Sequence, residues 1–322
     1  MEYRNFGKSD VKISRLGFGG WGIGGNMWIG AEDKESKRAL HKAIELGINF
    51  FDSAYVYGNG HSEQLIAQAE KETGKELIIA SKVPPKNYQW PAGDETPLNE
   101  AFPKEHIINI TERSLQRMKR DTIDLQQFHV WNDRWADNDE WKEAVRKLKD
   151  EGKVRYFGIS INDHQPENGI ETGKTGWVDS FQVIFNIFDQ SPADKLFPVC
   201  KEHEISIIAR VPFDEGALTG NIRPDTVFPE RDFRNNYFRG ERKQQVWERV
   251  QKLSEDVKGE TDSLAEAALR YTISFDEVTT VIPGMRKEKN LIANVAGIEK
   301  GNLSKELMER LKMYRWIRNF YE

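Results

Sequence analysis

From residue 47 onward, short apolar runs alternate with amphipathic segments, and this order limits the possible folds more than any other feature of the chain. The runs occupy residues 48–52, 77–82, 123–129, 155–159, 180–185, 205–211 and 278–283. Most lack polar alternation, which suits strands buried on both faces of a parallel sheet. A run at residues 14–18 supplies an eighth candidate. Between them lie helical patterns. Asp33 to Ser36 opens one that carries Ala39, Leu40, Ala43 and Ile44 on one face and ends at Gly47. Ser62 and Glu63 open another, with Leu65, Ile66 and Ala69. Further patterns cover 104–119, 140–151, 195–203, 242–258, 263–274, 287–296 and 305–314. Repeated strand–helix units with eight strand candidates predict a (β/α)₈ barrel, with a doubly wound open sheet as the alternative. Residues 3–14 place a Gly-Lys-Ser-Asp turn between two short segments, which predicts a small antiparallel hairpin ahead of the barrel. No Pro/Gly-rich linker divides residues 1–322, so one barrel domain is expected.

Composition narrows the class of partner. The chain is 38% hydrophobic and 31% charged, a globular balance with ample core material. A net charge of −5 argues against nucleic acid as a partner. The one cysteine, Cys200, permits no internal disulfide, which fits a reducing, cytoplasmic compartment. The first ten residues, MEYRNFGKSD, are polar and lack the apolar core of a signal peptide, and no later run is long enough to span a membrane. The six histidines are scattered, so no metal site is expected.

Two connections, 87–102 and 214–240, are long and aperiodic. Both follow strands, so in a barrel both lie at the C-terminal face, where active sites of this fold form. The same face collects ionisable strand ends. The stretch FFDSAYVYGNG ends an apolar run on Asp52 and places Tyr57 five residues later; the next two runs end at Lys82 and His129. A free phenol titrates near ~10, and a neighbouring ammonium lowers that value. Lys82 is expected to do this for Tyr57, with Asp52 holding Lys82 and His129 orienting a carbonyl oxygen. Such a set suits protonation of an oxygen as charge develops on it. Taken singly, each residue has a plainer reading. Asp52 fits a cap or turn, Lys82 beside Pro84 and Pro85 fits a solvated loop, and Tyr55 matches Tyr57 on composition.

In sum these motifs resemble the aldo-keto reductase superfamily. FFDSAYVYGNGHSEQLIA is similar to its Asp-Thr-Ala-x-x-Tyr-Gly signature with Ser53 in the Thr place, and Ser81-Lys82 and DLQQFH follow in order. LGFGGWGIGG near the start and Ile-Pro-Gly near the end extend the resemblance over essentially the whole chain. It implies a barrel that binds NADP(H) without a Rossmann domain, a tetrad of Asp52, Tyr57, Lys82 and His129, and hydride transfer from nicotinamide C4 to an aldehyde or ketone with Tyr57 as general acid. It further implies cofactor contacts at Gly20 and Trp21, at Ser160 and Gln182 for the carboxamide, and at Gly216 and Leu218 in GALTGN for the pyrophosphate. Where the family has Tyr-Ser-Pro-Leu, this chain has Arg210-Val211-Pro212-Phe213, so Arg210 is expected to stack on the nicotinamide, with Pro212 beside it. Gly284-Met285-Arg286 replaces the usual Lys-Ser, which assigns the 2′-phosphate to Arg286 beside Gly284 and implies NADPH over NADH. Asn290 stands where an Arg is frequent, and Asn294 matches the adenine-contacting Asn.

Trp21, Trp28, Trp90, Trp131 and Trp135 fall in segments expected at the mouth, as walls for an apolar or aromatic carbonyl compound; packing beneath the loops is the other reading. Some members of the superfamily serve as cofactor-binding regulatory subunits, which is the alternative function, and no particular protein partner is implied. A barrel with lyase or isomerase chemistry would bind no nicotinamide. The aromatic C-terminus, MYRWIRNFYE, suits closure over the barrel or a subunit contact.

Overall fold

The computed structural model describes residues 1–322. Strands β1 (Tyr3–Asn5) and β2 (Lys12–Ser14) pair antiparallel as the expected hairpin. Eight parallel strands follow: β3 (Phe18–Gly19), β4 (Phe50–Asp52), β5 (Ile78–Val83), β6 (Ile123–Phe128), β7 (Val154–Ser160), β8 (Ser180–Ile184), β9 (Ser206–Arg210) and β10 (Val278–Val281). They pair in chain order from β3 to β10. The sheet closes on itself, since Gly17 N–H donates to Val281 O at 2.9 Å, Gly19 N–H to Pro283 O at 3.0 Å, and Val281 N–H to Arg15 O at 3.0 Å. The fold is therefore the (β/α)₈ barrel and not the open sheet.

The principal helices are Asp33–Glu45, His61–Thr73, Lys104–Met118, Asp139–Asp150, Pro192–Glu202, Arg242–Val257, Leu264–Ile273, Glu288–Glu299 and Lys305–Leu311. Two local details differ from the expectation. The candidate strand at 14–18 divides, with Ser14 closing the hairpin and only Phe18 and Gly19 joining the barrel ladder. The connection from β7 to β8 carries a short helix, Ile170–Lys174, which periodicity could not register because it spans barely one turn. The last helical pattern, 305–314, is realised as the helix Lys305–Leu311 and a single turn, Lys312–Tyr314, after which no regular element follows. No helix is long and apolar enough to cross a membrane.

Strand alternation explains how the barrel presents polar groups at one end. Successive residues of a strand point to opposite faces. Phe51, Ile79, Phe128, Phe157, Phe181 and Ile207 belong to the large core shared with the surrounding helices. Phe50, Ala80, Leu125 and Ile208 form a separate interior cluster, which Phe6 and Ile13 of the hairpin close from below. Two residues further along each strand, on the same inward face, come Asp52, Lys82, Gln127 and Arg210. The interior is thus apolar at the N-terminal end and polar at the C-terminal end.

Candidate active site

Asp52 and Lys82 meet at the C-terminal end of β4 and β5. The Lys82 ammonium, 0% exposed, donates to Asp52 Oδ1 at 2.8 Å, to Asp52 Oδ2 at 2.7 Å and to Ser53 O at 2.7 Å. A fully buried cation needs this satisfaction, because an unpaired one costs several kcal/mol or more. Asp52 also accepts from Gln182 Nε2 at 2.7 Å and from Gln127 Nε2 at 3.5 Å. Lys82 Nζ reaches the Tyr57 hydroxyl at 3.5 Å. The His129 ring meets Tyr57 edge-on at 5.8 Å between centroids, and its Nδ1 is enclosed without a hydrogen-bond partner. The four residues that resemblance joined are therefore neighbours in space.

Local geometry brings Tyr57 there. After β4 the chain folds into a short turn, Tyr57–Gly60, in which Gly58, Asn59 and Gly60 all have positive φ (61°, 54° and 90°). Gly58 is required at its position, since a Cβ there would lie 2.1 Å from Gly24 O.

Electrostatics depart from the expectation in one respect. The Tyr57 phenol is pushed well above its usual value, first by burial and then by Asp52, with Arg210 pulling the other way. Asp52 neutralises the ammonium that was expected to acidify the phenol. Burial also lowers Lys82, opposed by Asp52. Burial, Lys82 and Arg210 together drive His129 well below the usual histidine value, so its ring is neutral. The set is a protonated phenol and a neutral imidazole facing the same opening.

Aromatic side chains ring that opening. Trp21 lies 6.4 Å from the Tyr57 ring, 5.9 Å from Trp28 and 5.2 Å from Phe233, while Trp90 meets His129 edge-on at 5.8 Å. Trp131 is placed elsewhere. It is 0% exposed, its indole N–H donates to Thr172 Oγ1 at 2.8 Å, and it packs among Phe128, Trp135 and Trp141. Trp135 is likewise buried and donates to Thr96 O. Both support the loop from behind, because a buried indole needs an acceptor that the mouth does not offer them.

The residues expected around a cofactor divide similarly. Ser160 is buried at the end of β7, and Gln182 is turned toward Asp52. Gly20 is a packing glycine: its N–H donates to Asp52 O at 2.8 Å, and a Cβ would fall 2.6 Å from that oxygen and from Ser62 Oγ. Pro212 and Leu218 are buried, whereas Gly216 and Gly284 keep open backbone, with φ +104° at Gly216 and free space around Gly284. Arg286 donates to Trp28 O and Ile29 O at 3.2 to 3.3 Å. Asn290 is exposed on the following helix, and one turn later Asn294 is buried with its Nδ2 unpartnered. An orphaned amide donor, an accessible glycine and a half-buried guanidinium beside a helix start fit an adenine nucleotide carrying phosphate.

Arg210 is held more firmly than its sequence position suggests. Its Nη2 donates to Asp163 Oδ1 at 2.5 Å and to Ile161 O at 3.0 Å. Beside it lies Glu215, a buried carboxyl that accepts from the Tyr321 hydroxyl of the C-terminal segment. Arg318 pairs with the neighbouring Asp214, and Trp316 N–H donates to Phe188 O, so that segment closes over the barrel. Asp163, Glu215, Tyr321, Phe233 and Gln127 escaped sequence reasoning. Gln127 alone had a usable signal, standing two residues before His129 on one strand face.

Burial pushes the Glu215 carboxyl up to about 7, helped by Asp214 and Asp163 and opposed by the Tyr321 hydrogen bond and Arg210. The folded state therefore keeps a proton that the unfolded state releases. Its stabilising contribution is complete below the ordinary value of 4.5 and is lost as pH rises through about 7. We expect Glu215→Gln, which cannot titrate, to gain on the order of 3 kcal/mol relative to the parent between about pH 4.5 and pH 8. Urea unfolding at both ends of that range measures this; a difference independent of pH would mean Glu215 is equally ionised in both states.

Comparison with known proteins follows this geometry. The model for the Aldo/keto reductase family matches residues 15–315. The chain is 32% identical over 315 residues to the uncharacterized oxidoreductase YqkF of Bacillus subtilis, covering 98% of this chain and 96% of that protein. It is 27% identical to a probable voltage-gated potassium channel subunit beta of Arabidopsis thaliana, covering 93% and 92%. The solved holo form of aldo-keto reductase AKR11C1 from Bacillus halodurans matches with a TM-score of 0.77 at 28% identity, covering 100% of both chains.

Proposed function

The chain belongs to the aldo/keto reductase family of oxidoreductases, and on that premise we propose that it reduces an aldehyde or ketone with NADPH, Tyr57 being the general acid. The observation that carries this reading is the convergence of Tyr57, Lys82, Asp52 and His129 at one barrel mouth. When bound, the reduced nicotinamide supplies the hydride. Tyr57 donates its hydroxyl proton to the substrate oxygen as charge develops there. Its raised pKa keeps it protonated across the neutral range, so the proton is in place for the oxygen as strongly basic alkoxide character develops there. Lys82 then stands 3.5 Å from the oxygen that takes up the charge, held by Asp52.

His129 orients the substrate. Enclosing a donor without an acceptor costs more than enclosing a lone pair, so the neutral ring carries its proton on Nε2, leaving Nδ1 bare. Nε2–H then donates to the carbonyl oxygen. Trp21, Trp28 and Trp90 supply flat apolar walls, which favours an apolar or aromatic carbonyl compound. Gln182, whose amide N–H is committed to Asp52, offers its carbonyl oxygen to the carboxamide.

Arg286 is the residue for the 2′-phosphate. Titrating NADPH and NADH separately, and following the quench of tryptophan fluorescence, tests both cofactor and preference. NADPH is expected to bind more tightly, and Arg286→Met to narrow the gap by about 10- to 100-fold. Equal binding of both would confine Arg286 to its loop contacts, and binding of neither would overturn the reading. Similarity to a channel subunit favours a regulatory role as the second reading. Negligible turnover across a carbonyl panel, with cofactor binding intact, would select it.

A further inference from the structure

We propose that Glu63 and Arg117 form a clamp that fixes the Tyr57 loop against the strand carrying Lys82, making both positioning residues for proton transfer. This rests on the reading of Tyr57 as the acid. The loop needs such support. Three successive positive φ angles, one at the non-glycine Asn59, turn the chain too sharply for a regular hydrogen-bonded ladder. Its backbone bonds are few: Tyr57 N–H donates to Ala54 O at 3.0 Å, Asn59 N–H reaches Val56 O at 3.4 Å, His61 N–H closes the turn onto Gly58 O and Tyr57 O, and Tyr55 N–H reaches Lys82 O of β5 at 3.3 Å, a single long bond to the catalytic strand.

External groups grip it from two sides. The backbone of Gly24 lies against Gly58. On the other side stands Arg117, from the helix Lys104–Met118. Its Nη1 donates to Tyr55 O at 3.1 Å, and its guanidinium lies 4.0 Å from the centre of the Tyr55 ring. The same guanidinium fills the space beside Gly60, where a Cβ would come within 2.1 Å of Nη1.

Glu63 joins this grip to the catalytic strand. It is 0% exposed, a costly place for a carboxylate. Its Oε2 accepts from Arg117 Nη1 at 3.3 Å, and its Oε1 accepts from Ser81 Oγ at 2.5 Å. Ser81 immediately precedes Lys82 on β5. One carboxylate therefore ties the strand bearing the ammonium to the arginine that holds the loop bearing the phenol. Tyr57 and Lys82 stand 3.5 Å apart, at the outer edge of hydrogen bonding, so a small drift of the loop breaks their contact.

Arg117→Ala and Glu63→Gln test the clamp in the full-length protein, with benzaldehyde as the carbonyl probe and thermal melting as a check on folding. Hydrogen exchange is read first, without cofactor. Peptides spanning residues 53–62 are expected to exchange faster in both variants, with the rest of the barrel unchanged. In turnover, kcat should fall by about 10- to 100-fold while KM for cofactor is unchanged. Millimolar guanidinium should restore part of the Arg117→Ala loss, which a general packing defect would not permit. Unchanged exchange in residues 53–62, or unchanged kcat in both variants, would overturn the proposal. Tyr57→Phe separates it from its premise: full turnover in that variant removes Tyr57 as the acid, whereas exchange reports on the clamp independently of activity.

Discussion

Tyr57→Phe is expected to lower kcat by about 100- to 10,000-fold while cofactor affinity stays nearly constant. The phenol is the one O–H group that combines contact with Lys82, at 3.5 Å, and an edge facing His129. Removing its oxygen leaves the ring, so the wall against Trp21 and the packing of the turn persist. In the proposed mechanism the developing alkoxide is then left with only the His129 Nε2–H beside it. That neutral imidazole can stabilise by hydrogen bonding, but burial, Lys82 and Arg210 resist its charged form, so it holds no readily given proton. Single-turnover measurement with bound cofactor separates chemistry from release. Retained turnover would transfer the acid role to His129 and remove the main support for the proposed mechanism.

The second large effect concerns stability. Asp52→Ala removes both oxygens that hold the Lys82 ammonium, leaving a fully buried cation with Ser53 O as its remaining close acceptor. Breaking a buried pair from one side costs about 3–5 kcal/mol. Part of this strain is relieved if Lys82 sheds its proton, a change that burial already favours in the parent. In the variant the folded state then binds fewer protons than the unfolded state, so its stability rises with pH and the deficit shrinks in alkaline solution. Adding Lys82→Met removes the stranded charge and should recover most of the loss, whereas turnover stays abolished in the double variant. Denaturant midpoints at neutral and alkaline pH measure the first effect, and the double-mutant cycle measures the second. An Asp52→Ala variant as stable as the parent at neutral pH would show that Gln127, Gln182 and water suffice to solvate Lys82.

These outcomes depend on features of unequal visibility in the sequence. The barrel was legible because each unit carries its own signature, an apolar run buried on both faces and then an amphipathic helix. Three such runs end on ionisable residues, which marked Asp52, Lys82 and His129 as candidates, whereas the choice of Tyr57 over Tyr55 came from the resemblance. The place of Trp131 was not legible. Its segment reads as mouth-facing, yet its indole found an acceptor in Thr172, 41 residues along the chain. Ionisation was misread for the same reason. Lys82 beside Tyr57 suggests an acidified phenol, but the bidentate hold of Asp52 cancels the charge and burial moves the phenol the other way.

What the sequence by itself determined was local: which segments extend, which coil, where strands end and which chemical groups stand at those ends. Periodicity of burial is written along the chain, because strand and helix geometry repeat every two or 3.6 residues. The tertiary structure alone decided the relations across the barrel. It set Gln182 on Asp52 over a separation of 130 residues, joined Glu63 to both Ser81 and Arg117, and brought Tyr321 of the C-terminal segment onto Glu215. It also decided which charges remain. Proton affinities follow from depth of burial and from neighbours in space, and neither quantity exists until the barrel closes.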